Sequence, residues 1–152
     1  KYANELRERG DVDMVVPFVD VNVLNVIIAA IVSFIVGMVW FSPALFGKQW
    51  MHYVGISAKE IEKNKNNMTS TMIAGFITSF IMAYVLAHVL AYSQAETIVE
   101  GLMGGFWMWL GFVATVTLGG VLWERKPLGW WTLTNSYHLV SILLMSIVLV
   151  LL

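Results

Sequence analysis

The stretch VNVLNVIIAAIVSFIVGMVWFSPALFG, residues 21–47, contains no Asp, Glu, Lys or Arg. Crossing the hydrocarbon of a bilayer takes about 20 apolar residues of helix, so this run is long enough for one transmembrane helix and too short for two. It is entered after Pro17 and stopped by Ser42 and Pro43, because proline lacks an amide hydrogen and restricts the residue before it. Working outward, three further uncharged windows follow, Asn66 to Ala95, Gly101 to Trp123 and Pro127 to Leu152, and every charged side chain lies outside the four. The expected fold is all-α: a four-transmembrane-helix bundle over residues 21–152, with spans near 22–41, 71–92, 98–123 and 130–152.

Composition agrees with this and narrows the function. The chain of 152 residues is 59% hydrophobic and 12% charged. A soluble domain carries about 25% charge, so a water-soluble single-core protein is excluded. The absence of cysteine removes disulfides, thiolate nucleophiles and cysteine-held metal centres. A net charge of -1 offers nucleic acid no long-range attraction, so the expected environment is the lipid bilayer, with no nucleic-acid partner. Residues 1–20 read as a polar N-terminal arm that mixes acids and bases, unlike the basic start and short apolar core of a signal peptide, with Met14 as a candidate native start.

The segment between the first two spans is the longest connection. In LFGKQWMHYVG, residues 45–55, Phe46, Trp50, Tyr53 and Val54 recur at helical spacing beside Lys48, which predicts a short interfacial helix. Ser57 and Glu60 then have the spacing of a capping box that opens a polar helical turn. Tight turns at residues 93–96 and 124–129 make the second, third and fourth spans antiparallel neighbours. Lys48, Lys59, Lys63, Lys65, Arg125 and Lys126 outnumber Lys1, Arg7 and Arg9, which places both termini outside and the basic loops in the cytoplasm of a multi-pass cell-membrane protein. Asn67-Met68-Thr69, a glycosylation acceptor by pattern, then faces the cytoplasm and carries no meaning. Trp40, Trp50, Trp123, Trp130 and Trp131 all fall at that inner boundary, where indole rings prefer to sit.

Helices in lipid associate by close backbone approach, which small residues on one face permit. Asn25, Ala29, Ser33 and Gly37 recur at spacings of four on the first span, and Gly75, Ser79, Ala83, Ala87 and Ala91 do so on the second. On the third, Gly101, Gly104, Met108, Gly111, Thr115 and Gly119 form one stripe. Compact bundle packing is the simpler reading of these stripes, and a solvated pathway lined by glycine is the other. The fourth span has no such stripe and ends in LLMSIVLVLL, so its outer half is expected to meet lipid or a partner subunit.

Polar groups inside hydrocarbon are the candidates for chemistry. An outer group comprises Asn25, His88, Tyr92 and Glu100, in which Glu100 also suits a helix N-terminus as an ordinary exposed acid. On the fourth span Thr132, Asn135, His138 and Ser141 fall near one face, either as polar glue between helices or as the wall of a binding cavity. His52, His88 and His138 sit on separate elements, so no metal or other cofactor is expected. No GxSxG elbow, glycine-rich phosphate loop with lysine, or HExxH occurs, and no catalytic residue is assigned.

The run from Asn25 through Gly37 to Trp40-Phe41-Ser42-Pro43, continued by Leu45-Phe46-Gly47-Lys48 and Trp50-Met51, resembles the opening signature of the bacterial and archaeal membrane family called domain of unknown function 1761. Leu122-Trp123-Glu124-Arg125-Lys126-Pro127-Leu128, with Asn135, Tyr137, His138 and Met145 after it, is similar to that family's third-turn and last-span pattern. The resemblance implies a four-span bundle and carries no catalytic residues. Its motif positions read as a rigid inner-face corner, with Lys48 near lipid phosphates or opposite Glu124; a headgroup or substrate site drawing on Lys48, Arg125, Asn135 and His138 is the alternative. Three functions follow as expectations. The first is a non-catalytic accessory or assembly subunit, in a homo-oligomer or with partner membrane subunits. The second is a small transporter or channel for a proton, cation or hydrophobic solute, and the third an enzyme acting on lipid headgroups.

Overall fold

The computed structural model describes residues 19–63 and 67–152, so the polar arm up to Phe18, Met14 within it, and Lys65 lie outside the described residues. The helices among the described residues, in chain order, are α1 (Val23–Trp40), α2 (Gly47–Val54), α3 (Ala58–Lys63), α4 (Met68–Tyr92), α5 (Ile98–Met108), α6 (Thr115–Leu122) and α7 (Leu128–Leu151). A π-helical turn, Trp109–Ala114, joins α5 to α6 without a break. Among the described residues, four rods are long and apolar enough to cross a membrane: α1, α4, the continuous Ile98–Leu122, and α7. The second span begins at Met68, three residues before its expected start, with the hydroxyls of Ser70 and Thr71 donating back to the Asn67 carbonyl.

Local chemistry sets the ends. Asn22 accepts from the Leu24 amide at 2.9 Å and so caps α1. Thr97 and Glu100 form a reciprocal capping box at the start of α5. The expected box at α3 is also present: the Ser57 amide and hydroxyl both donate to Glu60 at 2.7 Å, and the Glu60 amide donates to the Ser57 hydroxyl at 3.3 Å. The hydrogen bond from the Ser57 backbone, with that from its hydroxyl, holds the Glu60 carboxyl below the usual carboxylate range.

Between α1 and α2 the chain folds into the anticipated corner. The Phe46 amide donates to the Trp40 carbonyl at 3.0 Å, the Gly47 amide to the Ser42 carbonyl at 2.9 Å, and the Trp40 and Phe46 rings lie 4.8 Å apart. A side chain at Gly47 would run into the Phe41 carbonyl, which is why the corner needs glycine. Lys48 is exposed beside it. Glu124, expected as a possible partner for Lys48, pairs instead with Lys126 at 2.7 Å, since both sit in one short turn.

Packing corrects the reading of the last span. The helix α7 touches α1, α4, α5, α6, the π turn and α2, and its outer half supplies Ile142, Met145 and Ser146 to the core. It carries no stripe of small residues because it fills the gaps the others leave. A Cβ on Gly37 would sit 3.0 Å from the Tyr137 hydroxyl, and one on Gly101 would sit 2.8 Å from Val150. One on Gly105 would strike the Ser146 hydroxyl. Ala29, Ser33, Ser79, Ala83 and Ala87 are buried, Gly75 lies against Phe34, and Gly104 against Leu90.

Gly111 is a second correction. Nothing lies within reach of a Cβ there, and Thr115 is exposed as well. The π turn lengthens the repeat from Trp109 to Ala114 to five residues, which swings Gly111 out of the stripe and turns Ala114, Thr117 and Gly120 toward the bundle.

Candidate functional site

Near its loop end α4 leaves the bundle. Residues 68–74 are exposed without interruption, while Ser79, Ala83, Leu86 and Ala87 further along are buried. Phe34 and Phe76 meet edge to face at 5.8 Å and mark where α1 and α4 close on each other. Between that contact and the loop, the splay opens a cavity of about 1160 Å³. Phe34, Met38 and Phe41 line it from α1, Met68, Met72 and Thr78 from α4, and Thr134, Tyr137 and His138 from α7. Trp50, Met51, Ile56 and Ile61 face it from the connection that carries α2 and α3. That connection therefore roofs the chamber on the side of the basic loops. Methionine walls suit such a space, since an unbranched polarisable side chain adapts to guests of different shape.

Two of the polar residues on the wall hold unpaired atoms. Thr134 and His138 stand one turn apart on α7, and the Thr134 hydroxyl and His138 Nδ1 are buried without a hydrogen-bond partner among the described residues. They do not bond to each other, so the pair lacks the contact of an activated nucleophile and its base. By contrast, the hydroxyls of Thr71 and Thr78 are satisfied by carbonyls of their own helix. The His138 ring rests 4.9 Å from Tyr137, which in turn lies 5.0 Å from Phe41 and 6.5 Å from Trp40. Ser33 and Ser141, fully buried, also hold unpartnered hydroxyls. The contact of Gly37 with Tyr137 fixes the antiparallel register of α1 on α7 and sets these two serines at one level, a turn beyond His138.

The structure divides the inner group expected from sequence. His138 faces the cavity. Asn135 faces the third span instead: its amide nitrogen donates to the Thr117 hydroxyl at 2.9 Å and to the Trp131 carbonyl at 3.0 Å. Its backbone carbonyl accepts from the Trp109 indole at 3.0 Å, and the Trp131 indole donates to the Ala114 carbonyl at 3.1 Å. Thr132 is exposed and bonds within its own helix. Lys48 and Arg125 do not line the cavity; Arg125 occupies the exposed turn with φ 59°.

The outer group is likewise dispersed. The Glu100 carboxylate accepts from the Glu96 and Thr97 amides, both at 2.9 Å, as the cap of its own helix. His88 Nδ1 lies 2.9 Å from the Tyr84 carbonyl one turn back, with the two rings 4.4 Å apart. Tyr92 is exposed, and Asn25 lines a small cavity of about 190 Å³ with Asp20, Asn22 and Leu149. Among the described residues, no hydrogen bond or ring contact joins these four to one another. Among the described residues, no three His, Asp or Glu side chains gather where they would hold a metal ion.

Sequence reading missed Thr134, Tyr137 and the methionines as a set. The signal was present in part: Thr134 and His138 are four apart, hence on one face, but the wall opposite them exists only because α4 splays.

The corner that turns into the roof and the polar face of α7 belong to the two sequence blocks noted above, and residues 24–150 match a single family. The chain belongs to the family described as protein of unknown function (DUF1761). The match takes in the four long apolar helices of this DUF1761 protein except Val23 and Leu151 at their ends, and every described residue of the cavity. No curated protein and no solved structure matches the sequence.

Proposed function

We propose that this protein is a non-catalytic membrane module that takes up a small hydrophobic solute, from the leaflet on the side of the basic loops, into the cavity between α1, α4 and α7. The observation that carries this reading is the chamber itself, of about 1160 Å³. Natural ligand sites are mostly apolar clefts of about 300–1,000 Å³ with a few placed polar groups, and this one is somewhat larger than that range with a mostly apolar wall. It is an uptake site of the kind a small carrier of hydrophobic solutes needs. Service as a helix-packing accessory draws less support. The small-residue seams that would receive a partner are occupied within the chain, where Ala29, Ala30 and Ala83 are fully buried.

Photolabelling in lipid nanodiscs tests the proposal. A diazirine-bearing alkane is expected to form adducts on Met38, Met72 and Thr78, and to lose them in Gly75→Leu. That variant puts a side chain into the chamber where an added Cβ meets only Phe34 at 3.6 Å. Adducts confined to lipid-facing positions such as Phe112 and Val116, with the same pattern in Gly75→Leu, would overturn the proposal.

A further inference from the structure

Resting on that proposed uptake site, we infer that the preferred solute is an uncharged, flat aromatic ring system and not a flexible chain. A leaflet is itself hydrocarbon, as apolar as leucine, so an alkyl chain gains no hydrophobic free energy by leaving it for an apolar cavity. Whatever the chamber selects must gain from a contact that acyl tails do not offer. Aromatic faces are one such contact. Phe34 and Phe41 from α1, Trp50 from α2 and Tyr137 from α7 bring rings to the wall from three helices. Phe41 already meets Trp50 edge to face at 5.8 Å and Tyr137 at 5.0 Å, the arrangement that aromatic pairs prefer. A flat solute extends that cluster by one more ring, a contact that exceeds the value of the area it buries. A fused ring also has no torsions to freeze on entry, whereas a chain does.

Sulfur is the second contact. Met38, Met68 and Met72 line the chamber and remain 44%, 40% and 41% exposed, so their side chains are open to whatever enters. Spacing puts them there: Phe34, Met38 and Phe41 fall on one face of α1, and Met68 and Met72, four apart, on one face of α4. A thioether rests favourably against the edge of an aromatic ring, and an unbranched side chain adjusts to reach it. Polar recognition has less to work with. The Thr134 hydroxyl and His138 Nδ1 are occluded by the protein itself, and the Thr71 and Thr78 hydroxyls are taken by carbonyls of their own helix. Charge is expensive in hydrocarbon, and Glu60, the charged residue on the described wall, lies at its rim in a capping bond to Ser57.

Three hydrocarbons of equal carbon number decide the matter when each competes with the photoreactive alkane at the same mole fraction of nanodisc lipid: phenanthrene, its fully saturated form perhydrophenanthrene, and tetradecane. The saturated rings keep the skeleton and the stiffness of phenanthrene but have no aromatic face. The expected result is that phenanthrene displaces the label about tenfold more effectively than perhydrophenanthrene, the equivalent of about 1.4 kcal/mol, and that tetradecane is the weakest. In the double variant Met38→Leu with Met72→Leu, read from adducts on Thr78, the advantage of phenanthrene is expected to fall about threefold while perhydrophenanthrene competes as before. Phe41→Leu provides a second arm with the same expectation. Equal competition by phenanthrene and perhydrophenanthrene in the natural protein would overturn the inference. So would strongest competition by tetradecane, or a phenanthrene advantage undiminished in both variants. Failure of the alkane label to reach the cavity would count against the uptake site instead, so the two outcomes are distinguishable.

Discussion

Asn135 fastens the last helix to the third span through side chain and backbone together, and it is 1% exposed. Replacing it with leucine removes the bond to Thr117 and puts a branched side chain into a close-packed seam. Interhelical hydrogen bonds in membranes are worth roughly 0.6 kcal/mol on average and at most about 2. Asn135→Leu is therefore expected to lower stability by about 1–2 kcal/mol in equilibrium unfolding from mixed micelles, with alkane labelling of the cavity unchanged. Thr132→Val, which alters an exposed bond within its own helix, is expected to stay within about 0.5 kcal/mol of the natural protein. Equal stability of the two variants would show that Asn135 is not the fastening. The sequence placed Asn135 and His138 together because three residues apart on a helix is a near neighbour. Yet the two side chains diverge by about 60° around the axis, enough to send them to different helices.

Elements differ in how much of their packing could be read. The seams of α1 and α4 were legible because a straight α-helix keeps positions four apart on one face, and Ser33 and Ala83 are fully buried. The third span defeated the same reading at Gly111, since no composition rule announces a π turn. The centrality of α7 was hidden for another reason. Hydropathy does not separate an apolar side chain that meets lipid from one that fits a glycine gap, and Val150 is the second kind. Adding one residue to the π turn tests its role. The turn takes up one residue more than an α-helix would, which lets Gly101 and Gly105 share the α7-facing side with Thr117 and Gly120; an alanine inserted after the exposed Phe112 would rotate the two halves by about 100° relative to each other, so one half of the rod loses its seat on α7. The expected outcome is loss of monodisperse protein in size-exclusion chromatography, while deletion of Phe112, which restores a regular α-helix with the same faces aligned, elutes as the natural chain does. An insertion variant as well behaved as the natural protein would mean that the phase of the turn has no part in the packing.

At the scale of the whole molecule, uncharged length gave the four spans, and the proline and glycine corner gave the turn into the roof. The cavity was not legible because it follows from the angle at which α4 departs, and the residues that face it there, Met68 and Met72, read as ordinary membrane helix. The proposed orientation, in which the face carrying Lys48, Lys59, Lys63, Arg125 and Lys126 is the cytoplasmic one, would open the mouth of the chamber to the cytoplasmic leaflet. The central claim is an open chamber on one side of a closed bundle, and the cysteine-free sequence makes it directly testable by oxidative cross-linking in native membranes. A disulfide needs Cβ atoms about 3.5–4.5 Å apart. The pair Gly105→Cys with Ser146→Cys, whose Cβ positions lie 3.3 Å apart across the closed seam and need to give by only a few tenths of an ångström, is expected to cross-link. The pair Met38→Cys with Met72→Cys, which line the chamber from α1 and from α4, is expected to remain reduced; rapid cross-linking of that second pair would mean that α1 and α4 close together in the bilayer and that there is no chamber to fill.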